Sequence, residues 1–337
     1  MNHSIRTLAT TTLLLVSFAV NAAPLFDQSD ELSLSLTADF DTMFDDKDKA
    51  KQYPGRLSYD DTGSRKTLDV MLEVRGNFRL ETCQVPGLRL VFPNKTEGLF
   101  AKQKKLKLVT QCRRKGDVYQ DYLLQEYATY RAYEVLTENS YQTRLAMVTY
   151  TDTGSRNESW TNYGFFIEDT GRMAKRLGMK RVGDNRVSRN ALLGPETNLF
   201  TIYQYLAGNT DFSLLKGEGE EACCHNAKLL NNGIGFIPVP YDFDLAGVIN
   251  TRYAAPPVNL GIKRVTQRLY RGFCNNNEYV PATLAHINTN KSAIYAAFMD
   301  ERIREKTRKK MMKFLDSFFA LTGDPKKLKQ KITGKCR

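Results

Sequence analysis

Apolar and polar residues alternate with two different periods along the chain. The stretch LSLSL at 32–36 has a period of two, which is typical of a β-strand with one buried face. Further strand-like runs follow at 68–75, 88–92 and 106–109, and a hairpin is predicted for 147–151 with 163–167. The first part of the chain is therefore predicted to be rich in β-strands.

Helical periodicity appears first at 121–137 and dominates after residue 168. The clearest later examples are 198–207 and 287–321, and a short apolar strand at 234–239 interrupts them. This order predicts an α+β protein with two lobes that meet near residue 170. Its parts are a β-rich lobe at 23–169, a mostly helical lobe at 170–325 and a basic segment at 326–337.

Residues 1–22 have the pattern of a secretory signal peptide. Arg6 supplies a positive charge, 8–20 is apolar, and the VNA sequence at 20–22 fits a cleavage site with small residues. The apolar run is too short to span a membrane. We therefore expect a soluble, monomeric protein without a transmembrane anchor, exported to the periplasm or secreted.

Six cysteines remain after cleavage, and an even number in an oxidising compartment predicts disulfides. Six cysteines allow fifteen connectivities, and we predict Cys83–Cys112 and Cys224–Cys274. Structural zinc is the competing interpretation. It is disfavoured because the chain has no CxxC pair and the mature protein has only two histidines.

The chain carries a net charge of +12, which favours anionic partners such as nucleotides, anionic lipids or nucleic acid. A basic surface without a specific role explains the same charge. Nucleic acid is not expected as the partner, because no recognised binding motif accompanies the charge. An acidic run at 39–48 indicates either a calcium loop or a solvated turn, and the turn is favoured because EF-hand spacing is absent.

Oxygen-bearing side chains form the strongest chemical signal in the chain. Motifs of serine hydrolases, zinc proteases and dinucleotide-binding proteins are absent from the sequence. Four residues that follow one another along the chain offer oxygen atoms that suit Mg²⁺ or Mn²⁺: Asp211, Asn226, Asp242 and Asp244. A catalytic Asp, then an Asn, then an Asp after an apolar strand is an order used for phosphoryl transfer.

The pair Asp242 and Asp244 has two interpretations. In an extended Asp-Phe-Asp, both carboxylates point to one side and Phe243 points to the other, so Phe243 can anchor in the core while a cation holds the carboxylates. Alternatively, the two aspartates cap a helix that begins near residue 245.

Several short motifs resemble those of atypical protein kinases of the HipA and spore-coat CotH type. GNTDFSL at 208–214, HNAKLL at 225–230 and IPVPYDFDLAG at 237–247 resemble their catalytic segment. EVRGN, KKLKLV and YGFFIED resemble motifs of the N-terminal lobe, so the resemblance covers about residues 68–250. It implies a two-lobed protein-kinase-like fold that binds ATP and a divalent metal.

The resemblance also implies roles for the acidic residues. Asp211 would orient and deprotonate the acceptor hydroxyl, and Asn226 and Asp242 would hold the metal. Asp244 would be an accessory ligand or a structural carboxylate. The chain departs from the family pattern because Asp211 and Asn226 are fifteen residues apart.

Three further residues would bind the nucleotide. Lys107 would contact the phosphates, Glu126 would pair with that lysine, and Arg75 would reach a phosphate. The implied function is metal-dependent phosphoryl or nucleotidyl transfer to a protein or a small hydroxyl acceptor. The alternative is a catalytically silent module that binds an envelope partner or an anionic ligand, because ATP is scarce outside the cytoplasm.

Overall fold

The computed structural model describes residues 24–61, 63–183, 186–216 and 223–337. The signal peptide predicted for residues 1–22 lies outside these residues. The strands are β1 (Leu32–Ala38), β2 (Tyr53–Asp61), β3 (Ser64–Arg75), β4 (Gly87–Val91), β5 (Lys105–Thr110), β6 (Thr143–Asp152), β7 (Ser159–Ile167), β8 (Lys180–Arg181), β9 (Ala227–Asn231) and β10 (Phe236–Pro240).

The helical elements alternate with strands at first and then follow one another. They are α1 (Phe40–Asp46), α2 (Phe78–Thr82), α3 (Asp117–Glu134), α4 (Thr170–Arg176), α5 (Gly194–Ala207), α6 (Val280–Thr289), α7 (Lys291–Phe298), α8 (Glu305–Thr322) and α9 (Pro325–Leu328). The predicted hairpin is β6–β7, and the helices predicted at 121–137 and 198–207 are α3 and α5.

The first seven strands form a closed barrel in the order β1-β2-β3-β4-β5-β7-β6. Parallel pairing of β1 with β6 closes it, with Leu36 opposite Tyr150. The alternation in β1 is the predicted one, because Leu34 and Leu36 are buried and the serines beside them are not. Closure removes the exposed edges that β1 and β6 would otherwise present.

The prediction of a two-lobed protein-kinase-like fold is wrong, because this sheet closes on itself. The pairing that closes it joins segments more than a hundred residues apart in the chain. A period of two identifies a strand and its buried face, but it does not identify the neighbouring strand. The change from mostly strands to mostly helices along the chain agrees with the prediction, whereas α1, α2, β2, β8, β9 and the closure of the sheet were not predicted.

The helices share one core with the outer side of the barrel. α3 packs against α7 and against β7, so a helix from the N-terminal half lies among helices from the C-terminal half. A small sheet of β8, β9 and β10 lies beside α5. The core residues contributed by the later helices include Ile202, Leu206, Leu284, Ile287, Ile294, Phe298, Met311, Leu315 and Phe318.

Three disulfides link the cysteines. Cys83–Cys112 is confirmed, whereas Cys224–Cys274 is wrong: Cys223 is bonded to Cys224, and Cys274 to Cys336. Cys274 lies beside the C-terminus, where its N–H also donates a hydrogen bond to the Arg337 carbonyl at 3.1 Å. Residues 326–333 of the basic segment are helical, and the Cys274–Cys336 disulfide fastens the segment to the body of the protein. No helix in the described part of the chain is long and apolar enough to cross a membrane.

The acidic run at 39–48 forms a helix and not a calcium loop or a solvated turn. Asp39 is the N-cap of α1 and accepts a hydrogen bond from the Thr42 N–H at 3.0 Å. Asp41 is buried, and Arg114 and Arg156 lie 3.6 and 3.5 Å from its carboxylate. The Asp39 carboxylate thus caps α1, and the two arginines compensate the negative charge of Asp41 within the protein.

Candidate functional site

The loop that carries Asp211 begins where α5 ends. Gly208 has a φ of 68° and stops the helix in the left-handed region, where glycine is favoured. A Cβ at this position would lie 2.6 Å from the Phe314 ring, so the position is also sterically restricted. Asn209 then accepts a hydrogen bond from the Asp211 N–H at 3.0 Å, which fixes the direction of the loop.

Asp211 and Asn226 lie together, although fifteen residues separate them in the chain. The Asn226 amide nitrogen lies 2.9 Å from both the carboxylate Oδ2 and the carbonyl oxygen of Asp211. His225 Nε2 lies 2.9 Å from the other carboxylate oxygen, Oδ1. The carboxylate is thus held from two sides by consecutive residues that precede β9.

The Asp-Phe-Asp segment is separated from the end of β10 at Pro240 by one residue, Tyr241. Asp242 is left-handed, with a φ of 62°, and its N–H donates to the Tyr130 hydroxyl at 2.7 Å. Phe243 is fully buried against the Tyr130 ring, as predicted. The segment is therefore a turn and not an extended strand, and among the described residues no helix begins near residue 245 for the aspartates to cap.

Asp244 is the more deeply buried carboxylate of the pair, with 7% of its surface exposed. Its Oδ2 atom has no hydrogen-bond partner among the described residues. Burial and the negative charges of Asp242 and Asp211 raise the pKa of Asp244 to about 7, against the opposing charge of Arg79. Such an atom, buried next to other carboxylates, is in a position suited to a cation.

Glu126 adds another buried carboxylate from α3, with 3% exposure. Burial and the charge of Asp244 raise the pKa of Glu126 well above its usual range, although Arg79 opposes them. Its ion-pair partner is the Arg79 guanidinium at 3.7 Å, where the sequence predicted Lys107. Arg79 also donates to the Thr110 carbonyl, which holds it against β5.

Two of the predicted phosphate-binding cations meet at Tyr241. Arg75 donates to the Tyr241 hydroxyl, and the Lys107 Nζ lies 4.5 Å from the centre of its ring. Burial favours a raised pKa, but Arg75 and Lys107 outweigh it and lower the pKa of the Tyr241 hydroxyl. In β5, Leu106 and Leu108 point into the barrel, so Lys107 points out of it and reaches Tyr241.

The site thus has an acidic side and a basic side around the Tyr241–Asp244 turn. The acidic side consists of Asp211, Asp242, Asp244 and Glu126, and the basic side of Arg75, Arg79 and Lys107. Among the residues that the structure describes, no three His, Cys, Asp or Glu side chains stand at the spacing of a ready-made metal site. A cation bound here would draw on Asn226 or on phosphate oxygens as well as carboxylates.

Sequence reasoning missed the contributions of Arg79, His225 and Tyr241. Arg79 lies two residues after the EVRGN motif, and Tyr241 immediately precedes Asp242, so both were adjacent to predicted residues. Their roles depend on contacts with α3 and β5, which no local pattern reveals. Comparison of the chain with protein-family models, with curated proteins and with solved structures finds no match.

Proposed function

We propose that this protein is an exported enzyme that transfers a phosphoryl or nucleotidyl group from a nucleotide to a hydroxyl acceptor with the help of a divalent cation. The observation that carries the proposal is the buried Oδ2 of Asp244, which has no hydrogen-bond partner in the described part of the chain and lies near Asp242 and Asp211, with two cations at the nearby Tyr241. A negatively charged phosphate and a cation together would satisfy both halves of the site.

The residues around Asp211 support a role as the group that orients the acceptor. Two neighbours hold its carboxylate, and Asn226 binds both the side chain and the backbone of the same residue. A carboxylate fixed in this way can accept a hydrogen bond from a hydroxyl and take its proton. Asp211 is also half-exposed, so an acceptor can reach it.

The basic side supports binding of the phosphates. Arg75 and Lys107 approach Tyr241 from different strands, β3 and β5, and both are positioned by the barrel wall. Arginine and lysine are the side chains most suited to phosphate oxygens. Arg79, which is paired with Glu126, limits the repulsion between the buried carboxylates.

The acidic side fits Mg²⁺ or Mn²⁺, because the atoms it offers are carboxylate and amide oxygens. Asp242 and Asp244 would hold the cation, with Asn226 as a further candidate. When bound, such a cation neutralises the charge that develops on phosphate oxygens. The three disulfides support export, because disulfides persist in oxidising compartments.

A catalytically silent module that binds an anionic ligand is the second candidate function. It is favoured by the absence, among the described residues, of a ready-made group of three metal ligands. In this case the cations at Tyr241 would bind the anion without transfer. The two functions differ in turnover, and both predict that an anion binds at Arg75 and Lys107.

A transfer assay distinguishes the two. The mature chain is incubated with Mg²⁺ or Mn²⁺ and with ATP labelled at either the γ- or the α-phosphate. Label is followed into the protein, into small hydroxyl acceptors, into free phosphate for phosphoryl transfer and into pyrophosphate for nucleotidyl transfer. We expect metal-dependent release of the label, reduced at least a hundredfold in Asp211→Asn. Asp60→Asn, the same change at an exposed residue of β2, serves as the control and should keep the parent's rate.

Binding without turnover supports the silent module. ATP that binds and remains intact with either metal, in the parent as in Asp211→Asn, would contradict the transferase proposal. Equal turnover in the parent and in Asp211→Asn would assign the chemistry to other residues.

A further inference from the structure

A cavity of about 670 Å³ lies beside the candidate site, between α3, the segment 247–252 and α8. This volume is typical of sites for small ligands. Two of its walls continue into the candidate site, because Gln125 precedes Glu126 and Gly247 closely follows Asp244. The residues that line the cavity are nevertheless different from those of the candidate site.

The mouth of the cavity is positively charged. Arg252, Arg304, Lys306 and Lys310 line it, against one carboxylate, Asp121. Asp121 is buried and its charge is matched by the Arg304 guanidinium at 2.7 Å. Three cations from the 247–252 segment and from α8 therefore give the cavity an excess of positive charge, which favours an anionic ligand.

The wall of the cavity includes one buried amide side chain. Gln125 is 3% exposed and donates its amide to the Val248 carbonyl at 3.2 Å. Its amide oxygen is buried and has no partner among the described residues. A buried acceptor of this kind is stabilised by a donor from a ligand, such as a hydroxyl group. Tyr122 and Phe314 complete the walls with aromatic surface.

We propose that this cavity binds a small, soluble ligand that carries both a phosphate and hydroxyl groups, of the sugar-phosphate class. Lys306, Lys310 and Arg252 bind the phosphate at the mouth, and Gln125 accepts a hydroxyl inside. This inference goes beyond phosphoryl transfer at Asp211, since neither Asp211 nor Asp242 takes part in it.

Isothermal titration of the mature chain with glucose 6-phosphate, inorganic phosphate and glucose tests the proposal. We expect glucose 6-phosphate to bind, and its affinity should fall as salt is added. Glucose should bind at least tenfold more weakly than glucose 6-phosphate. The double variant Lys306→Gln/Lys310→Gln should raise the Kd for glucose 6-phosphate at least tenfold. Lys313→Gln, the same change on the same helix outside the cavity, should alter it less than twofold.

Two further variants locate the ligand. Gln125→Leu should weaken the binding of glucose 6-phosphate and leave the binding of inorganic phosphate unchanged, because only the sugar supplies a hydroxyl group for Gln125. Asp242→Asn should leave the Kd of both phosphate compounds unchanged, which separates this cavity from the proposed transferase site.

The proposal is overturned if neither phosphate compound binds, or if the double lysine variant binds glucose 6-phosphate like the parent. Binding to vesicles that contain phosphatidylglycerol, through the same lysines and without binding of either soluble compound, would also overturn it.

Discussion

The side-chain amide of Asn226 donates to the Oδ2 atom of Asp211 at 2.9 Å. The same nitrogen lies 2.9 Å from the Asp211 carbonyl oxygen, so both contacts require it to be a donor. Asn226, expected from the sequence to be a metal ligand, is thus first of all the residue that holds Asp211 in place.

Asn226→Asp should destabilise the protein at neutral pH. The change replaces a donor with an acceptor and places a second negative charge against Asp211. We expect a loss of about 1–3 kcal/mol in the free energy of unfolding at pH 7.5, measured by chemical denaturation. Asn226→Ala, which removes the bonds without adding charge, is the control. Equal losses in the two variants would show that repulsion from Asp211 has no part in the effect.

The Cys274–Cys336 disulfide should stabilise the fold considerably, because it closes a long loop of 62 residues. The chain-entropy relation gives about 4 kcal/mol for a loop of that length. Replacement of both cysteines by serine should lower the free energy of unfolding by an amount of this order. Replacement of Cys223 and Cys224, which are adjacent, should have a much smaller effect. A loss below about 1 kcal/mol for the first pair would contradict this prediction.

Glu134 should make stability depend on pH. Burial raises the pKa of Glu134 to about 7, opposed by Arg131, Thr143 and Arg176 and assisted by Glu168. Since the pKa of the folded state lies above the unfolded value, this contribution to stability is present below about pH 4.5 and is lost as pH rises through about 7.

The matched variant for this test is Glu134→Gln, which keeps the shape and an acceptor for Thr143. Chemical denaturation of both proteins from pH 4.5 to 8 should show the parent losing on the order of 3 kcal/mol relative to the variant. If the free energies of unfolding of the two proteins changed in parallel over this pH range, Glu134 would titrate alike in the folded and unfolded states.

Local patterns predicted much of the fold. LSLSL gave the strand and inward face of β1, and the helical period placed α3 and α5. Closure of the barrel was not predictable, because it depends on pairing β1 with β6 and not on either sequence alone. The Cys274 partner was missed for a similar reason, since no local pattern shows that the C-terminal segment packs against the body of the protein.

The candidate site was predictable as a set of residues but not as a set of contacts. Asp211, Asn226, Asp242 and Asp244 carry oxygen atoms in a recognisable order, and the structure brings them to one region. The partner of Glu126 could not be inferred, because Arg79 reaches it from the short helix α2. Such a contact is decided by packing between distant segments.

The proposed binding of a divalent cation by Asp242 and Asp244, together with the phosphates of a nucleotide, underlies the proposed transfer reaction. Its most direct test is thermal denaturation of the parent, Asp242→Asn and Asp244→Asn with ATP, with Mg²⁺ or Mn²⁺, and with both. At a ligand concentration of about 100 times Kd, bound nucleotide should stabilise the parent by about 2.7 kcal/mol, and only when the metal is present. Both variants should lose this metal-dependent gain while remaining folded, and Asp244→Asn should be at least as stable as the parent without metal because it removes a buried charge. A parent that shows no gain with any combination, or an Asp242→Asn variant that keeps the full gain, would contradict the account.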